Sequence, residues 1–144
     1  MLVLAILAAT IVAGVYFFSN NNETVKRRLM TIKTNFGEIQ FETYDSDAPK
    51  AVDNFVKLAG KGFYNNLTFH RVEDWVIQGG DPDGNGTGGG SIPVEFNSKP
   101  FVVGAVGIAS RGDGKVQNDA QFFITKKDSQ FLNGQYTNFG IVKS

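Results

Sequence analysis

Short apolar runs with a period of two, separated by glycine-rich turns, dominate the chain from Leu29 onward. Met30 and Ile32 alternate with polar neighbours, and beyond a turn Ile39 and Phe41 do the same. This alternation places the apolar side chains on one face of a strand, so it predicts a β-hairpin. Further strand-like runs follow at 68–72, 75–78, 92–96, 102–109, 121–125 and 138–142. Many short strands favour a mainly β antiparallel barrel or sandwich over an α/β sheet.

One segment departs from this pattern and has the period of a helix. Its apolar residues recur with the spacing i, i+3, i+4 and i+7: Val52, Phe55, Val56 and Ala59. Pro49 suits the first helical turn, and Ser46 or Asp47 can cap the N-terminus through its side chain. Gly60 and Gly62 favour an end to the helix soon after Ala59. The sequence therefore predicts one amphipathic helix beside the strands.

The beginning of the chain carries an uninterrupted apolar segment. Residues 2–18 contain no charged side chain, and as a helix they would span roughly 25 Å, the short end of what a bilayer requires. The segment ends in Tyr16, Phe17 and Phe18, as an interfacial aromatic belt would. We expect a hydrophobic helix here, with residues 1–22 as a membrane anchor and 23–28 as a polar, basic linker. A cleaved signal peptide and a buried core helix are the alternatives.

The orientation of such an anchor follows from the charges beside it, and these conflict. Lys26, Arg27 and Arg28 follow the segment, which by the positive-inside rule favours a cytoplasmic domain. Met1, however, directly adjoins the apolar run, as if residues were missing upstream. We expect an extracytoplasmic domain, secreted if the segment is cleaved.

Composition excludes most enzyme chemistries. The chain has no cysteine and one histidine, so a disulfide, a thiolate nucleophile and a His-based metal site are all excluded. Fourteen basic and fourteen acidic residues cancel, and no basic stretch exceeds three residues. The electrostatic footprint of a nucleic-acid-binding protein is therefore absent. We expect no cofactor, no metal and no nucleic-acid partner.

Two ligand-binding motifs match only in part. Gly84, Gly86 and Gly89 satisfy the spacing G-x-G-x-x-G, but no helix signal follows them, as a dinucleotide site requires. Asp81 opens a sequence like an EF-hand loop, but the twelfth position, which should be a bidentate Glu, is Ile92. A glycine-rich surface loop is the simpler interpretation of both.

A series of motifs in order carries a family resemblance. They are Phe-His-Arg-Val at 69–72, Gln-Gly-Gly-Asp at 78–81, Gly-Ile-Ala at 107–109, Gln-Phe-Phe-Ile at 121–124, Phe-Leu-Asn-Gly-Gln-Tyr at 131–136 and Phe-Gly at 139–140. From Leu29 to Ser144 the chain resembles the cyclophilins, which are peptidyl-prolyl cis-trans isomerases. The resemblance implies a catalytic domain at 29–144, folded as a cyclophilin-like antiparallel β-barrel with a flanking helix. Family members continue into a second helix and a last strand, so we expect both to be missing here.

The resemblance also implies the site. It makes Arg71 the catalytic residue. The residues that it places against the substrate are Trp75, Val76, Gln78, Ala109, Ser110, Gln121, Phe123, Phe131, Leu132 and Tyr136. Tyr136 stands where many members have His, and Phe131 where some have Trp. The stretch between Arg71 and Gln78 is one residue shorter than usual, and we align Trp75 with the family's aromatic residue and Val76 with the apolar position that follows.

The implied reaction suits a chain without nucleophile, general acid or metal. Rotation about an X–Pro bond makes no new bond and only breaks amide resonance, against a barrier of roughly 20 kcal/mol. In the twisted state the prolyl nitrogen regains a lone pair, which a guanidinium can stabilise. We expect proline-containing polypeptides as substrates and a monomeric enzyme. A module that binds proline loops with little or no turnover is the alternative.

Overall fold

The computed structural model describes residues 10–20 and 23–144, and most of their regular structure is β. The strands are β1 Thr10–Asn20, β2 Glu23–Thr34, β3 Gly37–Thr43, β4 Arg71–Val72, β5 Val76–Gly79, β6 Ser91–Pro93, β7 Ala105–Ile108, β8 Val116–Asn118, β9 Phe122–Thr125 and β10 Asn138–Val142. Helix α1 covers Pro49–Gly60, and a 3-10 helix covers Gln130–Leu132. The mainly β class and the single amphipathic helix are as the sequence predicts.

Eight strands form one antiparallel sheet in the order β1-β2-β3-β10-β7-β9-β5-β4, and β6 pairs with β8 in a second sheet. The predicted hairpin is β2–β3, in which Met30 lies opposite Phe41 and Ile32 opposite Ile39. Strands β1 and β4 are the two edges of the large sheet, and no pairing between them closes a barrel among the described residues. Strand β8 lies in a polar stretch that the sequence pattern did not mark as a strand.

The N-terminal segment differs from its prediction where it is described. Residues 10–20 are extended and pair with β2 along their whole length, from Thr10 opposite Lys33 to Asn20 opposite Glu23. The predicted hydrophobic helix is therefore not seen at 10–18, and residues 1–9 of that prediction lie outside the described residues. An apolar segment can satisfy its backbone groups either within a helix or against a neighbouring strand, and here β2 supplies the partner. Within the described part of the chain, no helix has the length and apolar composition to cross a bilayer.

The main core lies between α1 and the large sheet. Phe55 of the helix meets Phe41 edge-on, with ring centroids 5.6 Å apart, and Phe122 edge-on at 5.3 Å. Phe139 joins the same cluster from β10 and is fully buried. Edge-to-face rings at these distances stabilise a core beyond their buried area. The sheet is thus fixed on one face by the helix, and its strands hold their register for the site described next.

The start of α1 is capped from a distance. Neither Ser46 nor Asp47 caps it, because the N-cap residue is Ala48, which has no side-chain acceptor. Instead both carboxylate oxygens of Glu95 accept backbone hydrogen bonds, from Lys50 at 3.0 Å and Ala51 at 2.8 Å. A carboxylate at a helix N-terminus is favourable because it satisfies free N–H groups and opposes the positive end of the dipole.

Candidate active site

A tight hairpin brings Arg71, the predicted catalytic residue, beside Gln78. Strands β4 and β5 pair Arg71 with Gln78, and the Glu73 N–H donates to the Val76 carbonyl at 2.9 Å. The connection is thus reduced to Asp74 and Trp75, which is how the structure accommodates the shortened stretch. Directly opposite positions on paired strands keep their side chains in contact. Arg71 Nη1 accordingly lies 3.4 Å from Gln78 Oε1.

A chain of amides fixes the orientation of Gln78. Its Nε2 donates to Gln121 Oε1 at 2.9 Å, and Gln121 Nε2 donates in turn to the Gly88 carbonyl at 2.8 Å. Because the amide nitrogen of Gln78 is used in this way, its oxygen is the atom left facing the guanidinium. Gln121 is 3% exposed, so the positioning of Gln78 depends on a buried polar residue.

The apolar wall of the site is built on aromatic stacking. Phe123 of β9 stacks on Phe101 with centroids 5.6 Å apart and 22° between the planes, and Tyr136 meets Phe123 edge-on at 5.7 Å. The absence of a side chain at Gly107 makes this arrangement possible. A methyl group there would lie 2.7 Å from Cε1 of Phe123 and 2.8 Å from Cε1 of Phe101. Glycine at this position in β7 therefore lets the two rings lie against the sheet.

The polar side chains and the aromatic wall line one small cavity of about 90 Å³. Eight residues predicted from the sequence line it: Arg71, Trp75, Gln78, Ala109, Ser110, Phe123, Leu132 and Tyr136. They come from β4, β5, β9, the residues that follow β7 and the 3-10 helix, while Trp75 lies in the turn between β4 and β5 and Tyr136 just beyond the 3-10 helix. A cavity with an apolar wall and a few converging polar groups is the usual form of a binding site for a small group.

Three predicted residues take other positions. Val76 shares the face of β5 with Gln78, but it is 1% exposed and packs in the buried cluster with Phe123 and Leu132, so it lies beneath the cavity wall. Gln121 lies one step back and reaches the cavity only through Gln78. Phe131 is 64% exposed and meets Trp75 edge-on at 5.5 Å, at the outer rim.

Residues 29–144 match the family model of cyclophilin type peptidyl-prolyl cis-trans isomerases, which is most of the chain. The chain belongs to the cyclophilin family. Among curated relatives, peptidyl-prolyl cis-trans isomerase cypE of Dictyostelium discoideum is 42% identical over 121 residues, covering 80% of this chain and 78% of the relative. A peptidyl-prolyl cis-trans isomerase of Helicobacter pylori strain J99 is 42% identical over 127 residues, covering 85% and 77%.

A solved structure agrees with the fold of this cyclophilin. The crystal structure of a cyclophilin type peptidyl-prolyl cis-trans isomerase from Cryptosporidium parvum, obtained in the presence of the dipeptide Ala-Pro, superposes with a TM-score of 0.77. The two proteins are 35% identical, and the match covers 81% of this chain and 78% of the other. Sequence and structure comparisons therefore identify the same family independently.

A wider groove adjoins the small cavity in this cyclophilin. It has a volume of about 260 Å³ and shares Gln78, Ala109 and Ser110 with the cavity as a common wall. Its other side is formed by the glycine-rich loop and by the segment around β8, including Arg111 and Asp113. A peptide with one residue bound in the cavity therefore has space to continue along the surface in this groove.

Asp81 organises the glycine-rich loop of the groove. Its carboxylate accepts backbone hydrogen bonds from Asp83 at 2.9 Å, Asn85 at 2.9 Å and Gly88 at 3.0 Å, and a further one from Gly86. Burial raises the pKa of this carboxyl group, but the N–H donors outweigh burial and hold the pKa below its ordinary value. Within the loop, the acidic side chain that resembles an EF-hand ligand is thus used to bind its own backbone.

His70 takes no part in the cavity. Its Nδ1 is buried without a hydrogen-bond partner among the described residues, and burial lowers the pKa of its ring. The ring is therefore neutral at pH 7. The described part of the chain contains no group of three His, Asp or Glu side chains that could hold a metal ion.

Sequence reasoning missed two residues of the site. Phe101 supports Phe123 from beneath, and only its apolar character in a loop could have suggested burial. Glu73 binds two cavity residues, Arg71 and Trp75, through its carboxylate. An exposed glutamate in a turn carries no pattern that marks such a role, and only the shortened hairpin pointed to this stretch.

Proposed function

We propose that this cyclophilin isomerises X–Pro bonds by directing the Arg71 guanidinium at the prolyl nitrogen while Phe123, Leu132 and Tyr136 hold the pyrrolidine ring. One observation carries the assignment: the guanidinium and the aromatic wall line the same cavity of about 90 Å³. Proline is the residue whose ring needs an apolar pocket and whose amide nitrogen lacks a hydrogen, so a donor can approach it from one side.

The energetics of the reaction explain why an arginine is useful here. Twisting the X–Pro amide removes resonance, against a barrier of roughly 18–20 kcal/mol, and localises a lone pair on the nitrogen. A donor that interacts with this lone pair binds the twisted state better than the planar one, which is the condition for lowering a barrier. Arg71 supplies a permanent positive charge and several N–H donors in a fixed plane.

The other cavity residues bind the peptide on either side of the rotating bond. Gln78 and the backbone at Ala109 and Ser110 lie on the wall shared with the groove, where hydrogen bonds can hold the chain that precedes proline. Proline-containing polypeptides are the proposed substrates. The Ala-Pro dipeptide used with the Cryptosporidium parvum cyclophilin supports this class of ligand.

The test is isomerisation of a short Ala-Pro-Phe peptide, measured by NMR exchange spectroscopy with the 144-residue chain. Arg71→Ala should lower kcat/KM by about a hundredfold, the usual cost of losing one preorganised electrostatic contact to the transition state. Arg27→Ala is the matched control, because Arg27 is paired with Glu42 at 3.2 Å on another part of the sheet. Circular dichroism checks that both variants remain folded. Equal rates in the two variants would remove Arg71 from the mechanism.

The same experiment separates catalysis from simple binding. A module that only grips proline loops would shift the peptide resonances on titration without accelerating cis-trans exchange. We expect exchange well above the uncatalysed rate, because the polar and apolar halves of the cavity are both present.

We also propose that residues 1–22 hold the protein at a membrane, with 23–28 as linker and 29–144 as a monomeric catalytic domain outside the cytoplasm. The support is the charge-free segment 2–18. Spanning would require residues 10–20 to leave β2, since one backbone cannot pair with a strand and form a helix at once. Fractionation of cells expressing the full chain tests this, and protease added outside reports the side of the domain. Recovery of intact chain in the soluble fraction would contradict the anchor, and recovery of a form beginning near residue 20 would identify a cleaved signal.

A further inference from the structure

The carboxylate of Glu73 binds two of the residues that line the cavity. Its Oε1 accepts from Arg71 Nε at 2.7 Å, and its Oε2 accepts from the indole Nε1 of Trp75 at 3.0 Å. Each oxygen therefore serves a different side chain. Such a carboxylate fixes the distance between its two donors, here a guanidinium and an aromatic ring.

The backbone of Glu73 is itself held at both ends. Its N–H donates to the Val76 carbonyl at 2.9 Å, and its carbonyl accepts from Lys126 Nζ at 2.6 Å. Trp75, two residues further on, is fixed through its carbonyl, which accepts the N–H of Lys126 just after β9 at 2.7 Å. The carboxylate thus extends from a short hairpin connection that is tied to the sheet, rather than from a free loop.

These contacts leave one end of the guanidinium available. Glu73 takes Nε, the atom nearest the side-chain stem, and Gln78 lies 3.4 Å from Nη1. Nη2 of Arg71 makes no hydrogen bond to any residue that the structure describes. The guanidinium also lies over the Trp75 ring, with Cζ 5.4 Å from its centroid. Arg71 is therefore held through Nε and Nη1, while Nη2 stays free for a ligand.

We propose that Glu73 is a positioning residue that braces Arg71 and Trp75 at the rim of the proline cavity. The proposal rests on the role of Arg71 given above and adds the residue that aims it. A long arginine side chain in solvent samples many rotamers, and a brace reduces the number that must be lost when the guanidinium meets the twisted amide. Glu73 does not touch the substrate, so its effect is exerted through Arg71.

The electrostatics agree with a permanent brace. The hydrogen bond from Arg71 lowers the pKa of Glu73, as does the bond from Trp75, so its carboxylate is ionised across the neutral range. The charged groups around it are Arg71 on β4, Lys126 after β9 and Asp74 in the turn. Two of these are positive, which keeps the glutamate in its acceptor form.

The first test compares Glu73→Gln with Glu38→Gln in the full chain. Glu38 is a matched control because it also forms an exposed ion pair, 3.6 Å from Lys33, on the distant β2–β3 hairpin. We expect Glu73→Gln to lower kcat/KM for the Ala-Pro-Phe peptide about two- to fivefold, as the loss of an exposed ion pair predicts. The peptide dissociation constant should change less than about twofold, because the apolar wall does not contact Glu73. If Glu73→Gln and Glu38→Gln had the same kcat/KM, the proposal would be overturned.

The second test asks whether Glu73 acts through Arg71. In an Arg71→Ala background, Glu73→Gln should have at most a small further effect on the exchange rate, because Arg71, through which Glu73 acts on the rate, is gone. The same two- to fivefold loss in both backgrounds would contradict positioning. If instead the unmodified chain fails to accelerate exchange, or Arg71→Ala leaves the rate unchanged, the mechanism above fails and not only the brace.

The third test does not depend on turnover. Trp75 is the only tryptophan of the chain, so the ¹H–¹⁵N spectrum contains one indole N–H peak. Replacing the charged acceptor with a neutral amide weakens the hydrogen bond and should move the indole proton upfield in Glu73→Gln. The peak should stay in place in Glu38→Gln. An unmoved peak in Glu73→Gln would show that Glu73 does not hold the indole.

Discussion

The two sides of the cavity differ in burial. Phe123 and Leu132 are 5% and 6% exposed, and the first of them stacks on Phe101, which is 1% exposed. On the opposite side the side chains of Arg71 and Glu73 are 42% and 47% exposed. The wall that shapes the pocket is thus part of the core, whereas the rim that carries the charge is on the surface. Stability and catalysis should therefore be separable by mutation, with the wall affecting both and the rim mainly the rate.

The largest effect on stability is expected from Phe123→Ala. Removing a buried ring leaves a cavity against Phe101 and should lower the free energy of unfolding by about 3–5 kcal/mol. Urea denaturation followed by circular dichroism measures the change. Arg71→Ala, measured beside it, should lose less than about 0.5 kcal/mol, as surface substitutions do. Similar losses in the two variants would break the distinction between wall and rim.

An intermediate effect is expected from Asp81→Asn, which tests the buried support of the rim. Asp81 orders the loop whose Gly88 carbonyl binds Gln121, and Gln121 orients Gln78. Hydrogen bonds to a charged group contribute about 1.5–3 kcal/mol, so the substitution should lower the free energy of unfolding, measured by urea denaturation, by this order.

The pH dependence of stability gives a second readout for Asp81. Its pKa is lowered in the folded state, so its contribution is present above the ordinary carboxyl pKa and is lost as pH falls through the folded value. Unfolding free energies measured from pH 5 downward should therefore fall less steeply in Asp81→Asn than in the unmodified chain. Parallel curves would show that the carboxylate does not support the loop.

The smallest effect is expected from Phe131→Ala. Phe131 is 64% exposed, and the ring contact recorded for it is with Trp75. We expect a change in unfolding free energy below about 0.5 kcal/mol, because little area leaves the core. The affinity for the Ala-Pro-Phe peptide should fall by no more than about threefold, since an aromatic pair contributes roughly 0.5–1.5 kcal/mol and this one is solvated. A loss as large as that of Phe123→Ala would place Phe131 in the wall.

Much of this site could be predicted from sequence because its residues occur in ordered motifs on regular strands. Arg71 and Gln78 are fixed by the register of one hairpin, and Phe123 by its place in β9. The depth of a residue below the surface was harder to predict, as Val76 shows. Strand alternation places Val76 on the same face as Gln78, but the side chains packed over it decide that it does not reach the cavity.

The parts that could not be predicted depend on contacts between distant segments. Nothing in the local pattern near Pro49 indicates that Glu95 caps the helix in place of Ser46 or Asp47. Residues 10–18 have the composition of a hydrophobic helix and are extended because β2 offers a complete set of backbone partners. Composition records how apolar a segment is, but the partner determines which secondary structure satisfies its backbone.

Because the cap of α1 lies far along the chain, the helix is synthesised before the residue that caps it. Glu95 lies 45 residues after Lys50, whose N–H it accepts. At a synthesis rate of about 5–20 residues per second, the helix sequence precedes its cap by roughly 2–9 s. During that interval the nascent helix has an open N-terminus and only strands β1 to β3 of its sheet to pack against, since β7, β9 and β10 are still to come. A stalled chain ending before Glu95 should therefore be digested at α1 by added protease, whereas a chain released at full length should resist.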